Sequence, residues 1–231
     1  MKIVAVITAG GSGTRFGSAR PKQFIEVLGK MLIEHTIEVF DQHLLISQII
    51  VVLPESEISF FEQKRKEHHF GKTIQTIVVG GATRQDSVHA GILAVKNDPD
   101  FIVIHDAARC LVTEKEITNS IQKCMDGWEG AICALPIRDT LKKVDGEKII
   151  STQSRESLWG MQTPQVFKFH LIKQAYDKAD HENFVATDDA QIAEFSGAKI
   201  CVVLGSTTNI KVTYPEDLEL AEMILRERKK I

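Results

Sequence analysis

The strongest constraint in this chain is a rhythm: short, nearly unbroken runs of β-branched and aliphatic residues alternate with amphipathic segments of helical period. The apolar runs fall at residues 3–8, 48–53, 73–79, 101–105, 131–135 and 199–204, with helical patterns at 31–41, 57–68, 84–96 and 115–125. A strand that is apolar at successive positions has to be covered on both faces, whereas a half-exposed strand alternates. The pattern predicts a Rossmann-like α/β fold with a mostly parallel central sheet between helices. The 231 residues are read as a single domain, 1–231. A chain of this length buries roughly 70% of its unfolded surface and needs no metal or disulfide staple.

One stretch breaks the rhythm. Thr140 to Val144, a turn at Asp145-Gly146, and Lys148 to Thr152 read as a β-hairpin. Inserted at 138–158 in an α/β domain, it is expected to protrude, either as decoration or as a dimerisation arm that would make the chain a homodimer. Near the other end, Pro215 followed by Glu216 and Asp217 suits the first turn of a final helix.

Composition excludes several classes. A net charge of -3 argues against a nucleic-acid surface, where a basic excess is expected. The apolar run after Lys2 stops at Ile7, which is a strand rather than a signal peptide. No stretch approaches the ~20 apolar residues of a membrane span. Cys110, Cys124, Cys133 and Cys201 form no CxxC pair and sit in or beside apolar segments, as reduced thiols of a cytoplasmic protein do. His68 and His69 have no metal-spaced companions, and His105 is expected to pack against or orient Asp106.

The chemistry begins at Thr8-Ala9-Gly10-Gly11, runs through Gly13 and Arg15, and ends at Pro21-Lys22-Gln23. The loop follows a buried strand, the edge at which an open α/β sheet binds ligands. Gly10, Gly11 and Gly13 let backbone N–H groups approach an anion without a Cβ in the way. Phe16 stands where a dinucleotide fingerprint needs glycine, and the Gly-Lys-Ser/Thr of a P-loop is absent. Arg15 and Lys22 instead flank the cradle, where they can neutralise charge that develops as a phosphate ester breaks. Further along, Gly80-Gly81 ends a strand, and Arg84 to Ser87 opens a helix whose backbone and hydroxyl can meet a pyrimidine edge. A helix cap accounts for the same residues. Asp106 emerges at a strand's C-terminal edge, where a carboxylate suits either Mg²⁺ on phosphate oxygens or an acceptor hydroxyl. An Asp106–Arg109 pair that only stabilises the turn is the plainer reading.

With these segments the chain resembles the nucleotidyltransferases that activate sugar and polyol phosphates, and among them the cytidylyltransferases of non-mevalonate isoprenoid synthesis. The resemblance extends from Thr8 to Glu222 through His105-Asp106-Ala107-Ala108-Arg109, Pro136 to Lys142, Arg155 to Trp159, Gln162-Thr163-Pro164-Gln165, Thr187-Asp188-Asp189 and Asn209-Ile210-Lys211. It implies transfer of CMP from CTP to 2-C-methyl-D-erythritol 4-phosphate, with Mg²⁺ as cofactor and Asp106 as its ligand. It also implies a nucleotide site of Thr8, Ala9, Gly10, Gly11, Gly13, Gly80, Gly81, Arg84, Ser87, Asp106 and Ala107. Asp106, Arg109, Thr140, Arg155, Thr163 and Lys211 would hold the acceptor, with Arg155 reaching in from its own or a neighbouring subunit. Arg15, Lys22, Arg155 and Lys211 would act on the transition state. Two positions depart from the family's pattern: Ala82 replaces an acidic residue and Cys110 a proline. A ribitol 5-phosphate cytidylyltransferase and a catalytically idle nucleotide-binding module are the competing readings.

Overall fold

The computed structural model describes residues 1–10 and 20–228. Strand β1 (Ile3–Thr8) leads to a small antiparallel pair, β2 (Glu26–Val27) and β3 (Lys30–Met31), and then to α1 (Leu32–Gln42). Next come β4 (Gln48–Leu53), α2 (Ile58–His68), β5 (Ile74–Val79), α3 (Arg84–Leu93), β6 (Phe101–Asp106), α4 (Glu114–Met125) and β7 (Gly130–Pro136). A hairpin of β8 (Leu141–Asp145) and β9 (Lys148–Gln153) precedes β10 (Trp159–Lys168), α5 (Phe169–His181), α6 (Asp189–Phe195), β11 (Ile200–Leu204) and α7 (Pro215–Arg228).

The main sheet has seven strands in the order β11-β7-β10-β6-β1-β4-β5. All its pairings are parallel except those of β10, which runs antiparallel to both β6 and β7. The apolar rhythm thus marks the parallel strands to within a residue or two. It misses β10, because Gln162, Thr163, Pro164 and Gln165 make this central strand look like a loop. The helices α5 and α6 and the β2–β3 pair were likewise not delimited by the sequence pattern.

Strand β1 shows why its run had to be continuously apolar. Ile3, Ala5 and Ile7 pack into a core layer with α1, α2 and α4 residues such as Ile37, Phe61 and Ile117. Val4 and Val6 face the opposite layer with Val88 of α3, Tyr176 of α5 and Ile192 of α6. A third cluster, including Leu111, Val212, Ala221 and Leu225, seats α7 beside the end of the segment that follows β6. Cys110 packs in this cluster as buried apolar volume. Burial pushes the thiols of Cys110, Cys124 and Cys133 up to about 12, and all four cysteines are unpaired. Among the described residues no helix is long and apolar enough to cross a membrane.

The hairpin forms at the expected place, and β8 and β9 pair only with each other. Gly146 takes a φ of 56°, the left-handed conformation that the Asp-Gly turn requires.

Helix α3 lies directly on β1 and β4 because position 91 has no side chain. A Cβ at Gly91 would sit 2.5 Å from Cγ1 of Val6 and 3.0 Å from Cγ2 of Val52, both stiff and fully buried. Gly91→Ala should therefore cost about 1–3 kcal/mol of stability. Denaturant unfolding checks this, and an unchanged midpoint would show that the helix can ride up freely.

Candidate active site

Parallel strands bring their C-terminal ends to one edge of the sheet, so Thr8, Val79 and Asp106 all deliver the chain to the same side. Because β10 is antiparallel, its first half returns to that edge and sets Thr163 beside Asp106, whose backbone N–H donates to Thr163 Oγ1 at 3.1 Å. The resulting cleft, of about 280 Å³, is lined by Arg84, Asp106, Arg109, Thr163, Lys211 and residues of β10 and the α6 entry.

Its centre is the buried carboxylate of Asp106. Oδ1 accepts from Arg84 Nε at 2.9 Å, Oδ2 accepts from Lys211 Nζ at 2.7 Å, and Arg109 Nε lies 4.0 Å from Oδ2. Burial by itself would raise this group's pKa. The charges of Arg84, Lys211 and Arg109 outweigh it and hold the carboxyl well below the usual carboxylate range. Asp106 is thus a fixed anion among three cations drawn from α3, the segment after β6, and the approach to α7. Lys211 stays 42% exposed at its side chain and can present its remaining N–H groups to a ligand.

The part of the edge where a nucleotide is expected is built by close approach. A Cβ at Gly10 would stand 2.6 Å from Ser87 Oγ, and one at Gly80 would stand 2.8 Å from it. Ser87 therefore sits between the ends of β1 and β5, and its hydroxyl donates to Thr83 O at 2.9 Å. Thr83 caps α3 in a capping box with Asp86, so the cap and the site share one turn. A Cβ at Gly81 would run into Asp86, which accounts for the second glycine without a ligand. Lys22 opens a short turn after Pro21, and Gln23 Nε2 donates to Ala9 O, tying that turn to the end of β1. The expected contributions of Gly11, Gly13 and Arg15 lie outside the described residues.

His105 is neutral and fully committed. The arrangement that satisfies both nitrogens has Nε2–H donating to Arg109 O at 3.2 Å and Nδ1 accepting from Thr163 Oγ1 at 2.9 Å. Thr163 in turn receives the Asp106 N–H, so His105 orients Asp106 through Thr163, in line with the expectation for it. The same bonds leave Thr163 no proton to donate to an acceptor.

Several of the expected site residues have partners within the protein. Ala107 is fully buried, its N–H donates to Thr8 O, and its carbonyl accepts from Thr36. Three N–H groups of the Arg84 side chain are bonded to Asp106 in the cleft and to Asp189 behind its wall. As a metal ligand Asp106 fits poorly. Both its oxygens are bonded to cations, and no group of three or more His, Cys, Asp or Glu suited to a metal occurs among the described residues. Thr140 and Arg155 do not line the cleft of their own chain, which leaves the partner-subunit reading open to Arg155. Both are exposed on the hairpin segment, and Arg155 bonds the carbonyl of Arg138. Asp189 and Tyr176, a buried carboxylate and its phenol, escaped sequence reasoning, although Thr187-Asp188-Asp189 stood out as a motif.

The family model for 2-C-methyl-D-erythritol 4-phosphate cytidylyltransferase matches residues 3–227. This chain belongs to that family. A cytidylyltransferase of that name from Halalkalibacterium halodurans is 42% identical over 100% of both chains. One from Geobacter metallireducens is 39% identical over 99% of each. The crystal structure of the 4-diphosphocytidyl-2C-methyl-D-erythritol synthase of Anaerococcus prevotii superposes with a TM-score of 0.83 at 30% identity, covering 97% of this chain and 96% of that one. The Thermus thermophilus cytidylyltransferase gives 0.79 at 28% identity, with 96% and 98% covered. The architecture is the Rossmann-like nucleotidyltransferase fold that these cytidylyltransferases share.

The neutral His105 has a consequence for acid stability. Burial pushes its pKa down from 6.5 to about 3, whereas the unfolded chain binds the proton near 6.5. A depressed folded value means that its contribution is complete above pH 6.5 and is lost as the pH falls towards about 3. His105→Asn should flatten the decline in stability over that window by on the order of a few kcal/mol. Unfolding midpoints measured across pH check it, and an equal slope in the two proteins would contradict it.

Proposed function

We infer that this chain transfers CMP from CTP to 2-C-methyl-D-erythritol 4-phosphate, releasing pyrophosphate, as a cytoplasmic step of isoprenoid precursor synthesis. The observation that carries the reading is the family match over residues 3–227, centred on a cleft whose cations suit a phosphorylated acceptor. Four unpaired cysteines support the compartment. The small-molecule substrates are CTP and the polyol phosphate, with no nucleic acid or membrane as partner.

The nucleophile needs no base, because an alkyl phosphate is already an anion at neutral pH. His105, held neutral with both nitrogens engaged, is not placed to serve as one. A phosphate oxygen of the acceptor attacks the α-phosphorus of CTP, the bond to the β-phosphate breaks, and pyrophosphate departs with that electron pair. Catalysis then consists of holding two polyanions together and neutralising the charge that builds up. Gly10, Gly80 and Ser87 position the nucleotide, together with Gly11 and Gly13. Arg15 and Lys22 attend the triphosphate, and Asp106, Arg109 and Lys211 hold the acceptor. Mg²⁺ would supply further charge neutralisation alongside Arg15 and Lys22. Ala82 removes one acidic contact from the nucleotide side.

Thr140 and Arg155 complete the acceptor site from the partner of a homodimer. The hairpin leaves Val144 52%, Ile149 61% and Ile150 49% exposed, an apolar ribbon suited to a second copy.

Pyrophosphate release measured with CTP and a panel of polyol phosphates tests the acceptor directly. 2-C-methyl-D-erythritol 4-phosphate should be strongly preferred, and a preference for ribitol 5-phosphate would overturn the assignment. Lys22→Ala should lose 10²–10³-fold in turnover, on the order of 3–4 kcal/mol, with little change in stability; a near-native rate would remove Lys22 from the mechanism. Arg155→Ala and Lys211→Ala should each be impaired alone. Mixed and re-associated, they should regain turnover, because each hybrid dimer holds one intact site. No recovery from a mixture shown to contain hybrids would place Arg155 in its own subunit's site.

A further inference from the structure

We propose that Asp189 and Tyr176 are positioning residues of the acceptor site, acting through Arg84 on Asp106. Neither lines the cleft with Asp106, yet both lie behind one of its walls. Arg84 Nη1 and Nη2 donate to the two oxygens of Asp189 at 3.1 and 2.8 Å, a fork-on-fork pair that fixes the guanidinium plane. The Asp189 side chain has no solvent exposure, and Oδ1 also accepts the Tyr176 phenol at 2.6 Å. Burial and the Asp189 charge push that phenol well above its usual value, so it remains a donor.

With both Nη atoms engaged by Asp189, Nε faces Asp106 and donates to it at 2.9 Å. Asp106 Oδ2 then meets Lys211 at 2.7 Å. The result is one chain of bonds, Tyr176–Asp189–Arg84–Asp106–Lys211, running from the α5–α6 layer into the cleft. An arginine held only by Asp106 would swing among rotamers and release the carboxylate it orients. This role rests on the placement of Asp106 in the acceptor site.

The test is steady-state kinetics with each substrate varied in turn. Asp189→Asn should raise the acceptor KM on the order of tenfold, with the CTP KM unchanged within about twofold. Tyr176→Phe, an isosteric change that keeps the carboxylate, should move the acceptor KM in the same direction by less. It also carries the test if Asp189→Asn does not fold. In an Asp106→Asn background, Asp189→Asn should add nothing further to the acceptor KM. Additive effects, equal rises in both KM values, or a loss of stability with both KM values unchanged would each overturn the proposal. An Asp106→Asn enzyme with a native acceptor KM would instead overturn the acceptor assignment on which it rests.

Discussion

One buried carboxylate organises the working edge of this protein. Arg84, Arg109 and Lys211 come from three separate segments and would repel one another if they were gathered without an anion. Asp106 accepts from two of them and lies 4.0 Å from the third. A charge removed from water is costly unless it is paired and hydrogen-bonded, so the cluster is stable only as a set. With Asp189 behind the wall and Asp188 on it, three cations face three carboxylates, so the charges of the described cluster balance.

The fold supplies this arrangement through strand direction. Parallel β1, β5 and β6 end at the same edge, and antiparallel β10 returns Thr163 to it. Thr163 then links His105 to the backbone of Asp106, so a core strand and the catalytic edge share hydrogen bonds. On the nucleotide side the absence of side chains does equivalent work. Gly10 and Gly80 let Ser87 sit close to two strand ends, which draws the start of α3 against the site.

What the sequence made legible follows from how local each signal is. Strands buried on both faces announce themselves by unbroken apolar runs, and the Asp145-Gly146 turn announces the hairpin. Strand β10 does not, because its polar centre is satisfied by distant partners such as Asp188, Asp106 and Asn209. The same limit applies to the site. Asp106 and Lys211 were legible as charged residues within motifs. That the Arg84 guanidinium would turn to Asp189, a residue 105 positions away, was not. Ala107 lay within a motif of the nucleotide site, yet its backbone is spent inside the protein. Nor does a lone carboxylate in sequence reveal the cations folded around it, which occupy both oxygens of Asp106.

The central claim is that Asp106 is a permanent anion fixed by its cations, and the most direct measurement is a carbon-detected NMR titration of its side-chain carboxyl. The account predicts a resonance that stays flat as the pH is lowered through the ordinary aspartate value of 3.8, for as long as the chain remains folded. A resonance that titrates at or above that value in the folded protein would contradict it.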